Sequence, residues 1–131
     1  MAEQTIHLKR TGLYASGCNP VNMIQAAFYN EDMLIYDLED SVPAEEKDSA
    51  RFLVYEMLTH HRPADKYIVV RINSLYSGYF EDDLQAMVRA NPDCLRLPKI
   101  ETAHEVQMIS GRIAEIEKEV GLEVGKIELI C

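Results

Sequence analysis

Three short polar strings in this sequence have the makings of a site for an anionic ligand: Asp37-Leu38-Glu39-Asp40, Arg71-Ile72-Asn73 and Arg96-Leu97-Pro98-Lys99. Each follows an apolar run, so each falls where a strand would end. Side chains alternate along a strand, so Asp37 and Glu39 point to one side with Leu38 on the other, and Arg71 and Asn73 share a face with Ile72 opposite. An arginine presents a planar fork that grips a carboxylate through paired hydrogen bonds, and neighbouring acids can organise a hydrated divalent cation. The same residues can equally form a charge pair and nothing more. A fourth strand end, Ser16-Gly17, is small and flexible and leaves room for a ligand to approach the backbone.

The elements that must carry these strings alternate between strand and helix with a period of about 30 residues, the size of a βα unit. A first strand at Leu13-Tyr14-Ala15 is closed by Ser16-Gly17; Asn19-Pro20 then opens a helix with Ile24, Ala27 and Phe28 at helical spacing. A second strand over residues 33–36 runs into Asp37, and Pro43 starts a helix with Glu45 and Glu46 at its positive end and Ala50, Leu53, Val54, Met57 and Leu58 along one stripe. Residues 67–73 form a third strand, β-branched enough for burial on both faces. A helix bearing Leu84, Met87 and Val88 follows and stops at Asn91-Pro92. The fourth strand is residues 94–97. Thr102 to Glu105 reads as a capping box for a helix with Val106, Ile109, Ile113, Ile116 and Val120, and Gly121 suits its C-cap. Residues 126–131 read as a fifth strand. Four βα units plus a strand fit either an open doubly wound sheet or the N-terminal half of a (β/α)8 barrel, which needs roughly 250 residues when whole. An apolar last strand, which seeks a neighbour on its open edge, is compatible with the half barrel, and the residues alone leave both architectures open. In both architectures ligands bind at the carboxyl ends of the strands.

Composition narrows the partners. The 131 residues suit one domain, and a hydrophobic share of 47% supplies a core. The net charge of −9 argues against a nucleic-acid surface, which needs clustered Lys and Arg. No apolar run approaches the roughly 20 residues of a membrane span, and the start MAEQTIHLKR lacks the apolar stretch of a secretory leader. Cys18, Cys94 and Cys131 are too scattered for a disulfide framework or a zinc knuckle, so free thiols and a cytoplasmic location are expected. His60, His61, His104 and the acidic stretch 115–119 read as solvated, and Met23, Met33, Met57, Met87 and Met108 as core filler.

The run Tyr36-Asp37-Leu38-Glu39-Asp40-Ser41-Val42 is followed by Glu46-Lys47-Asp48-Ser49-Ala50-Arg51, by Val69-Val70-Arg71-Ile72-Asn73, by Asp83-Leu84-Gln85-Ala86-Met87-Val88 and by Leu95-Arg96-Leu97-Pro98-Lys99. In content and spacing these blocks resemble the citrate lyase beta-subunit family, within the wider citrate lyase and malyl-CoA lyase-like aldolases. The resemblance implies that residues 1–131 are a partial TIM-barrel lyase domain, truncated in its fifth strand. It implies a magnesium-dependent C–C lyase that cleaves a citryl thioester, carried on CoA or on the prosthetic group of an acyl carrier protein, to an acetyl thioester and oxaloacetate. The chemistry removes a proton from a tertiary alcohol, leaves a ketone on one product and places enolate charge on the other. The implied partners are citrate lyase alpha and gamma (acyl carrier) subunits, within a homo-oligomer. By motif, Arg71 would bind the oxaloacetate carboxylates, Glu39 and Asp40 would hold magnesium-bound waters, and Arg10 and Lys99 would stand at the thioester entrance. The family's direct metal ligands, a Glu and an Asp, are expected beyond Cys131, so no direct ligand is expected within these residues and the chain alone is expected to be inactive. The first strand end departs from the family's aromatic-apolar-Pro-Gly, reading Tyr14-Ala15-Ser16-Gly17. Related citramalyl- or malyl-CoA lyases are the alternative within the class. Outside it stands a non-catalytic receiver or assembly module, although a receiver's acid pair and phosphate-accepting Asp are replaced by Ser16-Gly17 and Arg71-Ile72-Asn73.

Overall fold

The computed structural model describes residues 6–131; residues 1–5, the start of the segment read as lacking a secretory leader, lie outside that range. The elements are β1 (Gly12–Ser16), α1 (Pro20–Ala26), β2 (Met33–Asp37), a 3-10 turn (Ala44–Glu46), α2 (Lys47–His60), β3 (Tyr67–Arg71), α3 (Phe80–Ala90), β4 (Cys94–Arg96), α4 (Ala103–Val120) and β5 (Glu128–Ile130).

Local chemistry sets the helix boundaries. The Asn19 side chain accepts from the Asn22 amide and Pro20 takes the first turn of α1. At α4, Thr102 accepts from the Glu105 amide while Glu105 accepts from the Thr102 amide, completing the capping box. Gly121 then ends α4 in the left-handed region at φ 74, and Asn91 ends α3 the same way at φ 54. Pro43 does not open α2 directly. Its extended backbone leads into the 3-10 turn, and the α-helix begins at Lys47.

All five strands are parallel and lie side by side in chain order, β1-β2-β3-β4-β5. A doubly wound sheet reverses its strand order part-way, and a receiver's would run 2-1-3-4-5. Sequential order with right-handed crossovers instead stacks every helix on one face, the winding of a β/α barrel. The packing agrees. Leu34, Tyr36, Ile68, Val70, Ile72, Leu95 and Leu97 face the helices and share one core with Met23, Val54, Leu84, Met87, Ile109 and Ile116. The opposite face holds a small cluster of strand residues alone, Ile35, Tyr67, Val69 and Cys94, with Met33 and Ile130 against it.

Several residues depart from the pattern: Ile24 and Phe28, at apolar helical spacing in the sequence, are 55% and 83% exposed, and α1 ends at Ala26. Glu117, within the stretch expected to be solvated, is only 1% exposed and accepts from the Gly125 amide, so it ties the α4–β5 turn to the helix. Asp83 is fully buried on α3. Met108, expected as core filler, is 46% exposed. Among the described residues no helix is long and apolar enough to cross a membrane.

Candidate active site

The carboxyl ends of the strands line up in one register row. Ser16 is paired with Asp37, Asp37 with Arg71, Arg71 with Arg96 and Arg96 with Ile130. Residues level with each other in a parallel sheet point the same way, so all five face the side that carries no helices.

Asp37 organises this rim. Its Oδ1 and Oδ2 accept from Nε and NH2 of Arg71 at 2.7 and 2.8 Å, a fork-to-fork pair. The same oxygens accept the backbone amides of Glu39 and Ser41 at 2.9 and 3.0 Å, folding the chain after β2 into a tight turn. Burial works against the charged form, but the hydrogen bonds from Arg71 and from around Ser41 and Glu39 outweigh it and hold the carboxyl at about 2. The Arg71 guanidinium is raised in turn by its hydrogen bonds to Asp37, against its own desolvation.

Glu39 is buried and draws in two cations: NH1 of Arg71 at 3.4 Å and Nζ of Lys99 at 3.1 Å. Asp40, whose side chain is 72% exposed, lies 3.7 Å from the same NH1. Lys99 reaches Glu39 from a left-handed backbone, φ 58, which costs a non-glycine residue about 1–2 kcal/mol. The structure therefore brings Arg71, Glu39, Asp40 and Lys99 together. Arg10 lies elsewhere. It precedes β1, and its Nε and NH2 grip Asp32 at 2.9 Å each while its amide donates to Asp32 at 2.8 Å. Strand residues rise about 3.3 Å each, so roughly 15 Å of sheet separates Arg10 from the rim.

Asn73 does not share the Arg71 face. The strand has ended at Arg71, and Asn73 turns toward α3: its amide and Nδ2 donate to Asp83 at 2.9 and 2.6 Å, and Nδ2 also donates to the Leu38 carbonyl at 2.9 Å. Asp83 further accepts from Nε of Arg51 at 2.8 Å. Below the acidic turn lies buried Lys47, whose Nζ donates to the Leu38 and Glu39 carbonyls at 2.8 and 2.6 Å and sits 5.7 Å from the Tyr79 ring centroid. Burial pulls the Lys47 ammonium down, opposed by Asp83, Asp37, Glu39 and Asp40. Sequence reasoning assigned no role to Lys47, Arg51 or Asp83. Lys47 and Arg51 are four residues apart, hence on one helix face, which was the available signal. Gly17 closes the floor of the turn. Its amide donates to the Asp37 carbonyl at 2.8 Å, and a Cβ there would stand 2.8 Å from that oxygen and 3.0 Å from Leu38 and Val54.

The arrangement fixes one guanidinium among three carboxylates at the strand ends. Asp37 takes Nε and NH2 of Arg71, and NH1 lies within ion-pair distance of Glu39 and Asp40. As direct metal ligands the acids fit poorly: Asp37 is saturated by Arg71 and two amides, and Glu39 is held between Arg71 and Lys99. Among the described residues no group of three or more His, Cys, Asp or Glu is arranged to hold a metal ion.

A sequentially wound parallel sheet with a charged rim at its carboxyl ends defines the chain as a β/α-barrel-type protein with its site where such barrels place theirs. Residues 10–131 match the HpcH/HpaI aldolase/citrate lyase family, and the chain belongs to it. It is 41% identical over 124 residues to the citrate lyase subunit beta of Leuconostoc mesenteroides subsp. cremoris, covering 95% of this chain and 41% of that protein. It is 38% identical over 131 residues to the citrate lyase subunit beta of Escherichia coli (strain K12), covering 100% of this chain and 43% of that one. Among solved structures, the citrate lyase beta subunit of M. tuberculosis complexed with oxaloacetate and magnesium superposes with a TM-score of 0.64 at 25% identity, covering 90% of this chain and 55% of the other. The chain thus spans about two-fifths of the length of the curated relatives it matches.

Proposed function

We propose that this chain is the amino-terminal part of a (β/α)8-barrel carbon–carbon lyase that cleaves a citryl thioester to an acetyl thioester and oxaloacetate, working in the cytoplasm with citrate lyase alpha and gamma (acyl carrier) subunits and as a homo-oligomer. One observation carries the reading: Arg71 is fixed by its paired bonds to Asp37 at the carboxyl ends of the strands, on the face that carries no helices, in a chain that matches the aldolase/citrate lyase family. Arg71 binds the carboxylate of the oxo-acid half and fixes the breaking C–C bond relative to the rest of the site. Asp37 orients Arg71. Lys47, Asn73 and Asp83 hold the turn that carries Glu39 and Asp40. Glu39 and Asp40 stand on the rim where they would hold waters of a bound magnesium. A bound magnesium would supply Lewis-acid polarisation of the alcohol that becomes the ketone, with its direct ligands expected outside the residues described. Lys99, on the solvent side of Glu39, stands at the thioester entrance, with CoA or an acyl carrier prosthetic group as the carrier; Arg10 has no part in this site.

The test is oxaloacetate release from a citryl thioester by the protein at the full length of its relatives, with Arg71→Ala alongside. A loss of kcat/KM of roughly 100-fold or more is expected, the scale of a charged hydrogen-bonding group. No release by the unaltered protein, or unchanged kcat/KM in the variant, would refute the proposal.

A further inference from the structure

Arg96 sits beside Arg71 in the same register row and on the same face. Its guanidinium carbon lies 6.0 Å from the Tyr14 ring centroid, and that of Arg71 lies 5.0 Å from the same ring. Two like charges therefore converge on one aromatic side chain at the strand ends. The other arginines are neutralised: Arg10 by Asp32, Arg51 by Asp83, Arg62 by Asp93, Arg71 by Asp37, Arg89 by Glu119 and Arg112 by Glu81. Among the described residues Arg96 is the one arginine with no carboxylate in ion-pair reach, although it is half-buried. A partly desolvated guanidinium without a counter-charge is costly, and a bound anion removes that cost.

Among the described residues Asp37, Glu39 and Asp40 gather about Arg71 and Lys99 reaches Glu39, while none of these three acids stands within ion-pair distance of Arg96. Neighbouring strands are about 4.8 Å apart, a spacing on the scale of a short-chain diacid, so two adjacent arginines can each take one end.

We infer that Arg96 is a second carboxylate clamp beside Arg71, which makes the site select acyl thioesters whose oxo-acid half carries two carboxylates over those whose oxo-acid half carries one. The inference rests on the lyase reading above and deepens it. A citryl thioester yields a product with two carboxylates; citramalyl and malyl thioesters yield products with one. Arg71 serves either class, and Arg96 has a partner only in the first.

The experiment uses the protein at the full length of its relatives, with Arg96→Gln and Arg96→Met as independent removals of charge and Arg96→Lys as the conservative variant. Two readouts are compared: the ratio of kcat/KM for citryl-CoA to that for citramalyl-CoA, and the ratio of calorimetric affinities for oxaloacetate and pyruvate. Removing the charge is expected to lower both ratios roughly 10- to 100-fold, with partial recovery in Arg96→Lys. Equal losses on both substrates and both oxo acids would overturn the inference and make Arg96 a structural residue. If the unaltered protein cleaves neither thioester, the lyase reading fails while the binding ratio still decides this one: a preference for oxaloacetate lost in Arg96→Gln sustains it, and no preference overturns it.

Discussion

Replacing Asp37 by Asn tests whether the rim is held by one carboxylate. The change keeps the shape and removes the charge. In the folded chain Asp37 is buried and its carboxyl is held at about 2 against an ordinary 3.8. At about 1.4 kcal/mol per pKa unit that displacement is worth about 2 kcal/mol at neutral pH. The variant also leaves Arg71, whose side chain is only 20% exposed, facing an amide in place of a charge. Breaking a buried pair by removing one partner costs about 3–5 kcal/mol, and partial exposure of Arg71 pulls the estimate to the lower end. A loss of about 3 kcal/mol, or roughly 10 °C in Tm, is expected. The sign of the pH dependence follows from the depressed pKa: the stabilisation is complete above the unfolded value near 4 and is lost as pH falls toward 2. Urea unfolding of both proteins from pH 7 downward should show a constant gap that closes below about pH 4. A gap under about 1 kcal/mol at pH 7, the size of a surface pair, would refute the reasoning. So would a gap that persists unchanged into acid.

Three further outcomes follow from the same geometry. Gly17→Ala places a Cβ 2.8 Å from the Asp37 carbonyl and should cost about 1–3 kcal/mol in a denaturant titration. Lys47→Met removes the donor to the Leu38 and Glu39 carbonyls; amide hydrogen exchange in the turn after β2 should speed up, and Lys47→Arg should restore part of the protection. Arg10→Ala, at the far end of the sheet from the rim, should leave kcat/KM for the thioester unchanged in the protein at full length, whereas a large loss would place Arg10 at the site.

The alternation of strands and helices was legible because each signal was local: Asn19-Pro20, Thr102 with Glu105, Gly121 and the β-branched run at residues 67–73 act within a few residues of themselves. The polar strand ends were legible because alternation and parallel register place Asp37 and Arg71 level without further help. The residues' own signals do not choose between a doubly wound sheet and a barrel; the resemblance implies the barrel, and the strand order, which depends on how the units stack, agrees with it. The polar network beneath the acidic turn was hidden for a similar reason. Asp83, Asn73 and Arg51 meet across two helices and a strand end, and nothing in their own neighbourhoods marks them as partners. Asn73 shows the limit of alternation, since its side chain follows the strand's parity only while the strand continues. Motif position alone suggests the rim for Arg10, but its pairing with Asp32 holds it at the opposite end of β1 and β2.

The most direct measurement is a crystal structure of the protein at full length with oxaloacetate bound. A carboxylate of the ligand is expected on the outer edge of Arg71, with the paired bonds between Arg71 and Asp37 intact and the ligand on the helix-free face at the strand ends. Oxaloacetate bound at the amino ends of the strands, or at the rim without touching Arg71, would contradict the central claim.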